Sequence, residues 1–180
     1  LYVDKAMSES SQFRHFWAEL LPLLSQEDLD TIESLYRDPS KYEDSEFKET
    51  RKDVGAQYKR IEAAYAHYAY VAPARQTAEL ASPSVPVYVY HWAAISSVNN
   101  GAQHGDNMRY EACDPKVLAI STNQEQLAKT LNAYVTSFIT KGDPNAVGGD
   151  YAKRPKWEPY NKQDPKVLQF GQGNEELIGG

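Results

Sequence analysis

Val85 to Trp92 (Val-Pro-Val-Tyr-Val-Tyr-His-Trp) is the most strand-like run in the sequence. β-Branched and aromatic residues occupy both of its faces, which predicts a strand buried on both sides, as in the central parallel sheet of an α/β protein. Such a strand constrains everything around it. Left unpaired, it would expose backbone donors and acceptors and invite aggregation. The rest of the 180-residue chain offers only one further strand, the short run Val167 to Phe170. The expected fold class is therefore α/β, mostly helical, with one central strand and one short strand that expect a larger sheet.

The helical signals are clear. Phe13, Phe16, Trp17, Leu20, Leu21 and Leu24 follow helical spacing and form an apolar stripe, with a break expected at Pro22. Ser25 reads as an N-cap, with Glu27 and Asp28 in the first turn of a helix that would carry Leu29, Ile32, Leu35 and Tyr36 inward. The charged stretch from Arg37 to Asp53 reads as a solvated surface loop. Val54 to Ala81 is helical, bent or divided near Pro73, with Tyr58, Ile61, Tyr65 and Tyr68 on one side. Thr122 opens the next helix in Thr-x-x-Glu form. That helix carries Leu127, Leu131, Tyr134, Val135 and Phe138 and ends at Lys141-Gly142 before Asp143-Pro144. Arg109 to Ala119 reads as a loop with a helical turn. The chain shows no internal repeat and reads as one segment, 1–180, whose polar, glycine-rich end, 171–180, is expected to be a flexible tail.

Directly behind the strand lies the polar stretch Asn99-Asn100-Gly101-Ala102-Gln103-His104-Gly105-Asp106-Asn107-Met108. A loop leaving a rigid strand keeps its side chains accessible. Histidine is the side chain best suited to moving protons near neutral pH. His104 is accordingly the candidate catalytic residue. His67 and His91 read as structural.

Composition narrows the partners. The formal charge is -6, which argues against nucleic acid. No stretch is long and apolar enough to form a transmembrane segment. Cys113 is the single cysteine, so neither an internal disulfide nor a cysteine zinc cluster can form. No cofactor and no metal site is expected. There is no Asn-x-Ser/Thr sequon.

Three segments, in order, resemble those of type-B carboxylesterases, the α/β-hydrolase family of cholinesterases, carboxylesterases and fungal lipases. Pro86-Val87-Tyr88-Val89-Tyr90 followed by Gly101-Ala102-Gln103-His104-Gly105-Asp106 is similar to the family's catalytic-histidine segment. Phe138-Ile139-Thr140-Lys141-Gly142-Asp143-Pro144-Asn145 resembles its helix-ending Phe-x-x-x-Gly-(Asp/Glu)-Pro-Asn signature. Trp157-Glu158-Pro159-Tyr160 with Leu168-Gln169-Phe170 resembles its Trp-Pro-x-Tyr and closing strand. Tyr58 to Ile61 and Ala72 to Arg75 look like the fungal-lipase version.

The resemblance implies ester or lipid hydrolysis by a serine, a histidine and an acid, in a secreted protein. His104 would be the general base and acid. The nucleophile elbow Gly-x-Ser-x-Gly is absent; Ser84, Ser96 and Ser97 lack the flanking glycines. The acid would precede Leu1, with Asp4 and Asp106 as weak substitutes. The family's second acid, in His-Gly-x-(Glu/Asp), is replaced by Asn107. The expected partner is the amino-terminal part of the same enzyme, carrying the serine. The alternatives are a non-catalytic, cholinesterase-like interaction module and a fragment that associates with itself as a homo-oligomer.

Overall fold

A computed structural model describes residues 3–94, 102–146 and 154–171. The chain packs as two compact units, Leu1–Gln76 and Thr77–Gly180.

In the first unit, α1 (Ser10–Leu20) and α2 (Gln26–Leu35) are joined by a short turn around Pro22. The Ser25 side chain accepts from the Asp28 amide, while Asp28 bonds back to the Ser25 amide, so both ends of the capping box are present. Phe13, Trp17, Leu29, Ile61 and Ala64 form the core, with Phe16, Ile32 and Tyr36 packed against it. Two expected inward residues are not inward: Leu35 is 67% exposed and Leu20 39%. They sit at the last residues of their helices, where the apolar stripe has rotated off the contact.

The helix expected over 54–81 starts at Tyr58. It comprises α3 (Tyr58–Ala66), a π-helical turn (His67–Val71) and α4 (Ala72–Ala81). The Ala72 amide bonds to the His67 carbonyl, five residues back. Pro73 has no N–H to give the residue four back, and its ring would crowd that carbonyl. The wider turn just before it absorbs the conflict without ending the helix.

The charged segment 37–53 is not simply a solvated face. Asp38, Ser45 and Phe47 are buried. Asp38 accepts at Oδ1 from the Gln57 side chain (2.8 Å), the Ser40 amide (2.9 Å) and the Ser40 hydroxyl (2.7 Å), and at Oδ2 from the Ser10 hydroxyl. The fully enclosed Arg60 guanidinium lies 3.7 Å from Asp38 and 3.8 Å over the Phe13 ring. Burial opposes the Asp38 charge, but the hydrogen bonds from Ser10, Gln57 and Ser40 outweigh it and hold the carboxyl well below the usual carboxylate range.

In the second unit, β1 (Tyr90–Trp92) and β2 (Leu168–Phe170) form a parallel pair, Tyr90 opposite Leu168 and Trp92 opposite Phe170. β1 is shorter than the eight-residue strand expected, and it is not buried on both sides. Val85 is 54% exposed, and His91 faces outward beside Gln169 at 3.3 Å. Between Pro86 and β1 the chain is extended but irregularly bonded: Val87 O accepts from the Tyr160 amide and Val89 O from the Leu168 amide. Strand length is set by the neighbour, and β2 supplies only three residues.

Three helices follow: α5 (Asp106–Glu111), α6 (Pro115–Leu118) and α7 (Thr122–Lys141). The N-cap of α7 is Ser121, one residue before the expected Thr122, and its side chain accepts from the Gln124 amide. Gly142, left-handed at φ 71°, closes it as expected. Tyr110, Val117, Ala128, Leu131, Tyr134, Trp157 and Phe170 make the core between α7 and the strands.

Candidate functional site

The site is built on the segment that joins the region after β1 to α5. Residues 95–101 lie outside the described residues, as do Ser96 and Ser97; from Ala102 the chain is described. Gln103, His104, Gly105 and Asp106 form a tight turn. The Asp106 amide donates to Gln103 O at 3.2 Å, and the Gln103 amide donates to Asp106 Oδ2 at 2.8 Å. Gly105 has φ 86° and ψ −5°, the geometry of the third residue of a type II turn, which a side chain would strain. Space is not the issue there: a methyl group would meet only Met108 Sδ at 3.9 Å.

His104 occupies the second position of this turn and is exposed. Among the described residues nothing forms a hydrogen bond or ion pair with its ring. Asp106 makes no hydrogen bond or ion pair with the His104 ring; its Oδ2 accepts from the Gln103 amide. Asp4 Oδ1 accepts from the Ala6 amide in the other unit.

Behind the turn, α5 is fixed to its surroundings by polar contacts. Asn107 Nδ2 donates to the Tyr90 hydroxyl (2.9 Å) and to Glu111 Oε1 (2.8 Å), and the Tyr90 hydroxyl donates to the same Glu111 oxygen (2.8 Å). Burial, then the Glu111 carboxylate, pushes the Tyr90 hydroxyl up to about 12, so it stays a donor at neutral pH. On the other side, Asn132 donates to Glu111 O at 2.7 Å, and Tyr110 donates to Gln124 Oε1 at 2.6 Å. The Tyr110 ring lies 4.7 Å from that of Trp92. Sequence reasoning missed Tyr90 and Glu111. The i, i+4 spacing of Asn107 and Glu111 was the available sign.

His67 Nδ1 lies 2.9 Å from the Tyr36 hydroxyl. Ser84 is exposed on the wall of a groove of about 700 Å³. That groove runs between residues 79–86 and 159–163 and takes no lining from the residues around His104.

The Phe138 to Asn145 signature is a clamp. Asn145 Oδ1 accepts from the Trp157 amide (2.8 Å), and Asn145 Nδ2 donates to Trp157 O (2.9 Å). Trp157 in turn donates from Nε1 to Val89 O at 3.1 Å. The signature thus ties the end of α7, through Trp157, to the stretch leading into β1.

The profile described as "Carboxylesterase family" matches residues 4–178. A curated relative, "Secreted lipase 4" of Gibberella zeae, is 30% identical over 171 residues, which is 94% of this chain and 29% of the relative. The crystal structure of Aspergillus niger EstA superposes with a TM-score of 0.70 at 19% identity, over 98% of this chain and 34% of that one. The chain therefore spans about a third of the length of the relatives it matches and shares the fold of a portion of a larger α/β-hydrolase.

Proposed function

The chain belongs to the carboxylesterase family, and from that premise we propose that it is the carboxy-terminal segment of a serine carboxylic ester hydrolase of lipase or carboxylesterase type. Its two units, on this reading, are parts of one catalytic domain. His104 is the proton carrier, and the serine and the acid come from an amino-terminal part of the same enzyme. The observation that carries the reading is His104 itself: an exposed imidazole on a turn closed by two hydrogen bonds, free of partners among the described residues. The lack of any Gly-x-Ser-x-Gly in the sequence, and the third of the relatives' length that the chain spans, support a nucleophile carried elsewhere.

The chemistry follows from that arrangement. As the serine oxygen attacks the ester carbonyl, His104 takes the hydroxyl proton and then hands it to the departing alkoxide, leaving an acyl-serine. Water attacks the acyl-serine with its proton passing to His104, which returns it to the serine oxygen as the carboxylic acid leaves. The acid's part is to hold the other ring nitrogen protonated and aimed. An ester, lipid-like or short-chain, is the substrate class. A secreted location fits the printed name of the Gibberella zeae relative. No helix among the described residues is long and apolar enough to cross a membrane.

Isolation of the native protein, with intact mass and amino-terminal sequencing, tests the reading. Polypeptide carrying Gly-x-Ser-x-Gly, continuous with this chain or bound to it, is the expected result. A native protein consisting of this chain alone and hydrolysing no ester would overturn it.

A further inference from the structure

We propose that Glu111, through its shared hydrogen bonds with Tyr90 and Asn107, is a positioning residue for the His104 turn. This deepens the reading of His104 as the proton carrier and rests on it.

The three side chains close a triangle. Asn107 Nδ2 donates to both the Tyr90 oxygen and Glu111 Oε1, and the Tyr90 proton goes to that same carboxylate oxygen. All three residues are half-buried, so water competes only in part for these bonds. Asn107 and Glu111 are one helical turn apart on α5, while Tyr90 is on β1. The triangle therefore fastens the helix to the strand at the helix's first turn, three residues after His104.

The fastening reaches the imidazole through the backbone. α5 has six residues, too few to hold itself, since isolated helices of that length are unstable in water. Its N-cap is Gly105, whose side-chain-free backbone offers no cap bond, and the first amides are met by the turn instead: Met108 N donates to Gly105 O at 3.1 Å. Whatever fixes the first turn of α5 thus fixes Gly105 and, one residue earlier, His104. Where the family pattern has a second acid, this chain has Asn107. Here a carboxylate stands one turn along, at Glu111, and the Asn107 amide links it to the tyrosine. Asn132 grips the Glu111 backbone carbonyl, which keeps the carboxylate's own anchor in place.

The test uses the full enzyme containing this chain, with two readouts. Amide hydrogen exchange over 103–108 reports the turn whether or not the enzyme is active. Hydrolysis of p-nitrophenyl acetate reports the chemistry. Tyr90→Phe and Glu111→Ala are expected to speed exchange over 103–108 while leaving α7 protected. They should lower kcat about tenfold with KM little changed, the signature of a displaced catalytic group. Glu111→Gln keeps an oxygen that can accept from both donors and is expected to recover most of the loss.

Unchanged exchange and unchanged kcat in Tyr90→Phe and Glu111→Ala would overturn the proposal. So would a Glu111→Gln variant as impaired as Glu111→Ala. If α7 also lost protection, Tyr90→Phe, the smaller change, decides alone. Faster exchange in the variants of an enzyme whose hydrolysis does not depend on His104 would uphold the positioning and sink the catalytic reading instead.

Discussion

Asn145 and Trp157 hold one another by two antiparallel hydrogen bonds, side-chain amide to main-chain amide, at 2.8 and 2.9 Å. The contact joins the residue that ends the signature to a tryptophan twelve residues later. Truncating Asn145 would leave the N–H and C=O of the buried Trp157 without their partners. Asn145→Ala is expected to cost about 2 kcal/mol of stability, with ester hydrolysis per folded molecule unchanged. Urea unfolding and active-site titration of the same preparation check this. A loss of turnover without a loss of stability would give the signature a role in the chemistry.

At Gly105 the backbone conformation alone should decide what is tolerated. Gly105→Ala meets no obstacle, yet it must hold a positive φ, a strain of about 1 kcal/mol. Gly105→Asn should be milder, since asparagine tolerates this region, and Gly105→Val more severe. Thermal melts of the three variants should rank in that order. An alanine variant as stable as the parent would mean the turn relaxes to another form.

The Asp38 cluster makes a pH prediction with a definite sign. The folded carboxyl has a lower pKa than the unfolded one, so its contribution is complete above about pH 4 and is lost as the pH falls further. Asp38→Asn removes the charge beside the enclosed Arg60 guanidinium and is expected to cost about 3 kcal/mol at pH 7. The gap to the parent should narrow as the pH is lowered below 4. Chemical unfolding followed by fluorescence of the buried Trp17 at pH 7 and pH 3 measures it. An equal gap at both pH values would assign the loss to packing.

How much of this was legible in the residues depends on how local each cause is. The Ser25 cap, the break at Pro22 and the Gly142 stop rest on signals within a few residues, and all three are where the sequence places them. The extent of β1 was not legible, because pairing is set by β2, some eighty residues away. Arg37 to Asp53 reads as solvated because its charges are dense, yet Asp38 is enclosed by Ser10 from α1 and by Gln57 and Arg60 from the start of α3. At the candidate site, a glycine-bearing loop around His104 was readable from the sequence, and the structure has a turn there with a left-handed Gly105. The Tyr90–Glu111 bond joins residues 21 apart whose spacing carries no pattern. Asn107, which replaces an acid of the family pattern, makes two hydrogen bonds that the sequence did not announce.

The central claim is that His104 carries the proton for a serine held on other polypeptide of the same enzyme. In that enzyme, His104→Ala should lower kcat for p-nitrophenyl acetate by about 10⁴-fold or more, with KM little changed, while the fold, read by circular dichroism, is retained. Hydrolysis within a few-fold of the parent would contradict it.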